Sequence, residues 1–426
     1  MKRSSSVIAA VIASVVGVAP TAAANAGEYN AAIVSEAGIP VADPALAVAP
    51  DGAATVAWSA YADPGHCSTL RVARIEADGT VGAAQAFPGA GACSHDVDLA
   101  VDPQGRVTAV WESSYPDQIQ MSRIGPGGTP APVQTIGATD QQAQPRIAVD
   151  RDGRAVVSYR GPGVGKNYGD RSYRARAVQI EADGTVGSPV DISQIDVRSS
   201  ELAIDGQGRA IIAWSTGDLS SKRFFRVQSR TLFPDGSLGQ LRTLSNRRHG
   251  GYDVALDVSS AGKATVAWQS KNGIFATRVS ASGRVPRDPQ RLSESKHDAR
   301  NPDVVVTRRG SIVAWTSQSK NRYRVELSGL TRTGEAIGAR TVATNARGPE
   351  LIAGGRAAAT IGYVGVERAS IAGIRFGKRA EAAQSVFDDR AFGLQLAADD
   401  SGRVTAAALV VAPEGKGVIE VARPTP

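Results

Sequence analysis

Four acidic residues stand at one place in a repeating frame: Asp98, Glu201, Asp303 and Glu350. Two carboxylates held at a fixed separation can protonate a leaving group and activate water, or hold a hard cation. Hydrolase or lyase chemistry on carbohydrate is the catalytic reading of these acids. The same place holds Ala45, Arg146, Ala255 and Gln395 in the other repeats. Acids scattered beside arginine serve more often as structural ion pairs. The four histidines, His66, His95, His249 and His297, lack the His-x-x-x-His spacing of a metal site. His95-Asp96 and His297-Asp298 are adjacent pairs only, so no metal and no cofactor is expected. A nucleophile elbow, a phosphate loop and a dinucleotide fingerprint are absent from the sequence.

The basic residues suggest binding. Arg198, Arg247, Arg248, Lys296, Arg300, Arg347 and Arg390 fall between repeats, with His249 and His297 beside them. Lys166, Arg171, Lys222, Arg223, Lys271, Lys320 and Arg322 fall in a second set of connections. The formal net charge is +7. Positive charge gathered on one rim attracts an anionic polymer, a lipid surface or an acidic protein. Asp96, Asp253 and Asp298 dilute the patch, so a merely solvated rim stays open. Nothing in the sequence combines a basic run with interleaved aromatics, and nucleic acid is not an expected partner.

The frame that carries these residues is a phrase. APDGAATVAW (49–58), DPQGRVTAVW (102–111), DRDGRAVVSY (150–159), DGQGRAIIAW (205–214) and SSAGKATVAW (259–268) each put a glycine six residues before an aromatic. Upstream, eight units share an aliphatic column: Leu46, Leu99, Ile147, Leu202, Leu256, Val304, Leu351 and Leu396. The aromatic column is Trp58, Trp111, Tyr159, Trp214, Trp268, Trp315 and Tyr363, with Ala408 in the last unit. The glycine supplies the positive φ of a tight hairpin turn. A second hairpin follows in RVARIEADGTVGAAQAF (71–87), RAVQIEADGTVGSPVDI (176–192) and RTLFPDGSLGQLRTL (230–244). Each unit thus supplies four short antiparallel strands, and units of this length that repeat around a ring build a β-propeller. Runs such as Ala54–Ala57 are small and apolar at every position, as strands buried on both faces require.

The Ala49-Pro50-Asp51-Gly52 turn leading to Trp58, and Asp102-Pro103-Gln104-Gly105 leading to Trp111, resemble TolB-type propeller repeats. The resemblance implies an all-β fold, a single propeller, and says little about a ligand. The unit count predicts eight four-stranded blades, with seven as the alternative because the seventh unit loses its turn glycine register. The last unit stops after a third strand, VIEVARP (418–424), and AAIVSEAG (31–38) reads as its missing fourth strand. Pairing the two closes the ring without an exposed edge. The aromatic column is expected to pack between blades rather than to stack on sugar.

Lys2 and Arg3, the apolar run Val7–Val18 and the small residues Ala22 to Ala26 read as a secretory signal peptide over residues 1–26. Residues 27–426 then form the propeller domain, secreted or held in the cell envelope, without a transmembrane segment. Export makes a disulfide between the only two cysteines, Cys67 and Cys93, the expectation. The combined expectation is a monomeric extracellular binding protein. Its long-loop face, with Arg198, Arg247, Arg248, His249, Lys296, His297, Arg300, Arg347 and Arg390, would take an anionic polymer or a protein or glycan partner.

Overall fold

The computed structural model describes residues 29–61, 67–139, 143–162, 173–193, 197–217, 225–246, 250–294, 298–354, 358–411 and 415–425. The segment read as a signal peptide lies outside these residues, as do His66, Arg247, Arg248, His249, Lys296 and His297. Lys166, Arg171, Lys222 and Arg223 also fall outside them. Eight antiparallel four-stranded sheets follow one another along the chain. Their first strands are Val41–Val48, Ala92–Val101, Arg146–Val149, Val197–Ile204, Gly251–Val258, Asp298–Thr307, Arg347–Gly354 and Arg390–Ala398. We number the blades one to eight in this order. First strands of neighbouring blades pack on one another around the ring, and blade eight packs on blade one. The chain is an eight-bladed β-propeller, as the unit count predicts. No helix among the described residues is long and apolar enough to cross a membrane.

Closure uses the N-terminus. Tyr29–Ile33 pairs with Gly417–Pro424 in register Tyr29 to Pro424 and Ile33 to Glu420. The strand starts two residues earlier than expected and stops at Ile33 rather than residue 38. One more backbone bond, from Val34 N–H to Ile419 C=O, extends the pairing. Its end is set by a serine. Ser35 Oγ accepts the Ile419 N–H at 2.9 Å. Ser193, Ser245 and Ser293 do the same for the third strands of blades three, four and five, through Ala175, Val227 and Ile274. The orphan strand is thus recognised by the same side-chain device as ordinary outer strands.

Blade-to-blade packing is apolar and tight. Trp58, Trp111, Trp214, Trp268 and Trp315 are all fully buried, and Tyr159 with them. Phe87 of blade one meets Trp111 of blade two at 4.9 Å between ring centroids. The indole N–H groups need partners in so dry a place. Trp111 donates to Gln120 and Trp315 to Glu326, each at 3.1 Å.

The repeated phrase folds as a turn with an acid inside it. Gly52, Gly105, Gly153, Gly208, Gly262 and Gly402 all have positive φ. In four blades the turn reads Asp-x-x-Gly-Arg, closed by Asp102–Arg106, Asp150–Arg154, Asp205–Arg209 and Asp399–Arg403. Asp205 shows the design. Its Oδ1 accepts the Gln207 and Arg209 N–H groups at 2.9 and 3.0 Å, while Oδ2 takes the Arg209 guanidinium. The arginine is a fixed part of the turn that a glycine-centred reading overlooks.

Candidate functional site

The antiparallel order of four strands sends the first and third connections of each blade to one face of the disc. The second connections and the blade-to-blade crossings go to the other. The second connections are not uniformly long, however. Blades five and six use tight turns at Lys271-Asn272 and Lys320-Asn321. In blade two, Tyr115-Pro116 is a cis peptide within the hairpin.

On this face every first strand starts with an irregularity. Asp43, Asp96, Gln144, Asp253 and Asn301 adopt positive φ, as do Gly348 and Gly393. Each stands three residues before the aliphatic column. In blades one, two, five, six, seven and eight the ladder shifts register at this residue. Asp, Asn and Gly tolerate the left-handed region best, which explains the column's composition. The sequence contains this signal as a second column, which is Asp, Asn or Gly in six blades and Gln144 and Ser199 in the other two. It is invisible to a search for catalytic spacing.

The bulge sets the direction of the residue before it. That position holds His95, Arg198, Tyr252, Arg300, Arg347 and Phe392, with Ala42 and Ala143 in blades one and three. Arg300 reaches Asp298 and Gln318. Arg347 and Arg198 are half-buried, and the Arg390 guanidinium lies 5.0 Å from the centre of the Phe392 ring. The described members of the expected basic set thus come from four separate blades and share this face.

The four carboxylates have other partners. Asp98 Oδ1 accepts the Leu99 N–H, and Oδ2 accepts the N–H of Ile147 in the next blade, each at 3.0 Å. Asp303 repeats the arrangement with Val304 at 2.8 Å and with Leu351 of the next blade at 2.5 Å. Asp257, outside the expected set, links Val258 to Val306 in the same manner. Glu201 faces Arg146 of the preceding blade at 3.5 Å. Glu350 is buried in blade seven. Burial raises Asp98, although Arg146 opposes the shift. Asp257 and Asp303 are pushed up to about 7, by burial first and against their amide bonds. Glu201 is pushed up to about 8 by burial, again against Arg146. These groups stitch blades together along the inner ring.

One cluster was not legible from spacing. His95 and Glu112 are cross-strand partners in blade two, and Asp96 is the bulge residue beside them. One ligand atom from each lies within 4.8 Å of the others. Glu112 Oε2 accepts the Ala143 N–H of blade three at 2.6 Å. Burial raises Glu112, while the His95 charge opposes that rise. The Cys67–Cys93 disulfide is formed just before the cluster, with Cα atoms 4.1 Å apart. Ser68 Oγ and C=O complete the anchor: Oγ donates to Ser94 C=O at 2.6 Å, and the Ser94 N–H donates to Ser68 C=O at 3.1 Å.

No family model matches the chain, and no curated protein matches it. Solved structures do. The chain is similar to the Dos1 propeller, at TM-score 0.54 and 7% identity, over 93% of this chain and 94% of that one. It is also similar to the polysaccharide lyase Uly1, at TM-score 0.51 and 12% identity, over 77% of this chain and 89% of that one. At these identities the likeness extends to the fold alone.

Proposed function

We propose that this propeller is an exported, monomeric, non-enzymatic binding protein that takes an anionic polymer or acidic partner across its long-loop face. The observation that carries the reading is the division of labour between acids and bases. Asp98 and Asp303 each spend both oxygens on backbone amides, and Glu201 faces Arg146. A carboxylate with both oxygens engaged by amides is poorly placed to move a proton to a substrate. Arg300, Arg347 and Arg390, by contrast, come from three consecutive blades to one face. The disulfide and the apolar leader sequence fit an oxidising, extracellular setting.

Retention on immobilised heparin tests this. Replacing Arg300, Arg347 and Arg390 with serine should shift elution to clearly lower salt. Replacing Arg284, Lys378 and Arg379, on third connections at the opposite face, removes equal charge and should shift it less. Surface charge acts over about 8 Å at physiological ionic strength, so the two faces are electrostatically separate. Equal shifts from the two triple variants would sink the proposal.

A further inference from the structure

We propose that His95, Asp96 and Glu112 form a binding site for a divalent transition-metal cation at the junction of blades two and three. The three side chains offer one nitrogen and two carboxylate oxygens, with ligand atoms within 4.8 Å of one another. Small movements within ordinary rotamers bring such a set onto one ion. A second observation points the same way. Glu112 is fully buried, and its Oε1 has no hydrogen-bond partner although Oε2 is held by Ala143. A buried carboxylate oxygen without a donor is costly unless something positive satisfies it.

The surrounding charge strengthens the case. Arg146 is the guanidinium that faces this region, and it lies under the attraction of Glu201, Asp98 and Asp96 together. A dication at the cluster would place positive charge against the partnerless Glu112 Oε1.

The chain also holds the donors in place. Asp96 sits in the left-handed bulge, which fixes its direction. His95 is aligned by its ladder partner: its Nδ1 lies 3.2 Å from the Glu112 C=O. A ring whose Nδ1–H donates to that carbonyl leaves Nε2 free to coordinate, the usual arrangement of a metal-bound imidazole. The strand carrying the pair is pinned at Cys93 by the disulfide and at Ser94 by Ser68. A single imidazole with two carboxylates favours Zn²⁺ or Mn²⁺ over Ca²⁺ and Mg²⁺, which take oxygen donors only. Three protein ligands leave a coordination position for water.

Titration calorimetry of the purified full-length protein, freed of metal by chelation and dialysis, with ZnCl₂ is the test. One high-affinity Zn²⁺ per chain is expected, with MnCl₂ weaker and CaCl₂ without effect at the same concentration. His95→Ala and Glu112→Gln should each weaken Zn²⁺ binding by roughly tenfold or more. Gln can still accept the Ala143 N–H, so the second variant keeps the blade junction. Asp96→Asn keeps a residue that tolerates positive φ and serves as a third, fold-preserving variant. Cooperative melting of each apo variant near the wild-type temperature certifies its fold. No Zn²⁺ uptake by the wild type, or uptake unchanged in all three folded variants, overturns the proposal. Calcium bound as tightly as zinc would also overturn it.

Discussion

The two faces of the disc are built on opposite principles. On the short-turn face the same Asp–Arg turn recurs in blades two, three, four and eight, down to matching amide bonds from positions two and four beyond the Asp. On the long-loop face the backbone device recurs, a left-handed residue at the start of the first strand in seven of the eight blades, but the side chains beside it do not. The position before it is alanine, histidine, arginine, tyrosine or phenylalanine in different blades. Repetition of side chains marks what each blade needs to fold, while repetition of backbone alone leaves positions free to diverge. Binding chemistry belongs where the backbone is held and the side chain is free.

Asp205→Ala breaks the first half of the comparison most directly. The side chain is buried, and its removal orphans the Gln207 and Arg209 amides and unpairs a guanidinium. Leaving such groups unsatisfied costs about 1–3 kcal/mol each, partly relieved because Arg209 can turn to water. A loss of about 2–4 kcal/mol in urea unfolding is expected, whereas Arg347→Ser on the other face should stay within roughly 0.5 kcal/mol. Comparable losses at both positions would mean that the two faces are equally structural.

The disulfide sharpens the second half. It joins two segments of the long-loop face across 26 residues. Chain entropy gives such a loop at most roughly 3–4 kcal/mol. In a ring with eight interlocked blades the bond should mainly order its own loops. Cys67→Ser with Cys93→Ser is therefore expected to lower stability by about 1–3 kcal/mol. Amide exchange should accelerate in residues 67–70 and 92–96 and stay protected in the strand Ile211–Trp214. Uniform acceleration through the ring would show that the bond supports the whole scaffold.

The sequence made the scaffold legible because its signals are local and repeated. A glycine six residues before an aromatic is a turn followed by a buried strand, and five copies within eight units that share an aliphatic column leave little choice of architecture. Even the closing strand was readable, since Val34-Ser35 echoes Leu244-Ser245 and Leu292-Ser293. Its C-terminal end was misplaced because the serine, not the apolar run, terminates the pairing. The site was less legible. Glu112 is 16 residues beyond Asp96 and is recruited by strand register, which no spacing rule for metal ligands covers. Asp98 and Asp303 look like catalytic acids until their partners, 49 and 48 residues away in the next blade, are known.

The smallest effect concerns the acids of the inner ring, which belong to neither face. Burial holds Asp257 at about 7 in the folded protein, whereas the unfolded chain restores the ordinary aspartate value near 4. Between these values the folded state retains a proton that the unfolded state has lost. Folding is then favoured by acid, so this residue's contribution to stability falls as pH rises from about 4 to about 7 and is constant above. The Asp303 carboxyl follows the same direction, raised by burial and, weakly, by Asp257 itself. Asp257→Asn removes the titration while keeping an oxygen that can accept one of the two amides, from Val258 or Val306. Below pH 4 the variant should be the less stable, because an amide matches only one of the two acceptor positions. Toward pH 8 the gap in melting temperature should narrow by a few degrees, as the wild type alone bears the buried charge. Melting curves of both proteins at half-unit intervals from pH 4 to pH 8 measure the gap. A constant difference would show that Asp257 ionises at its ordinary value, and that its two amide bonds compensate fully for burial.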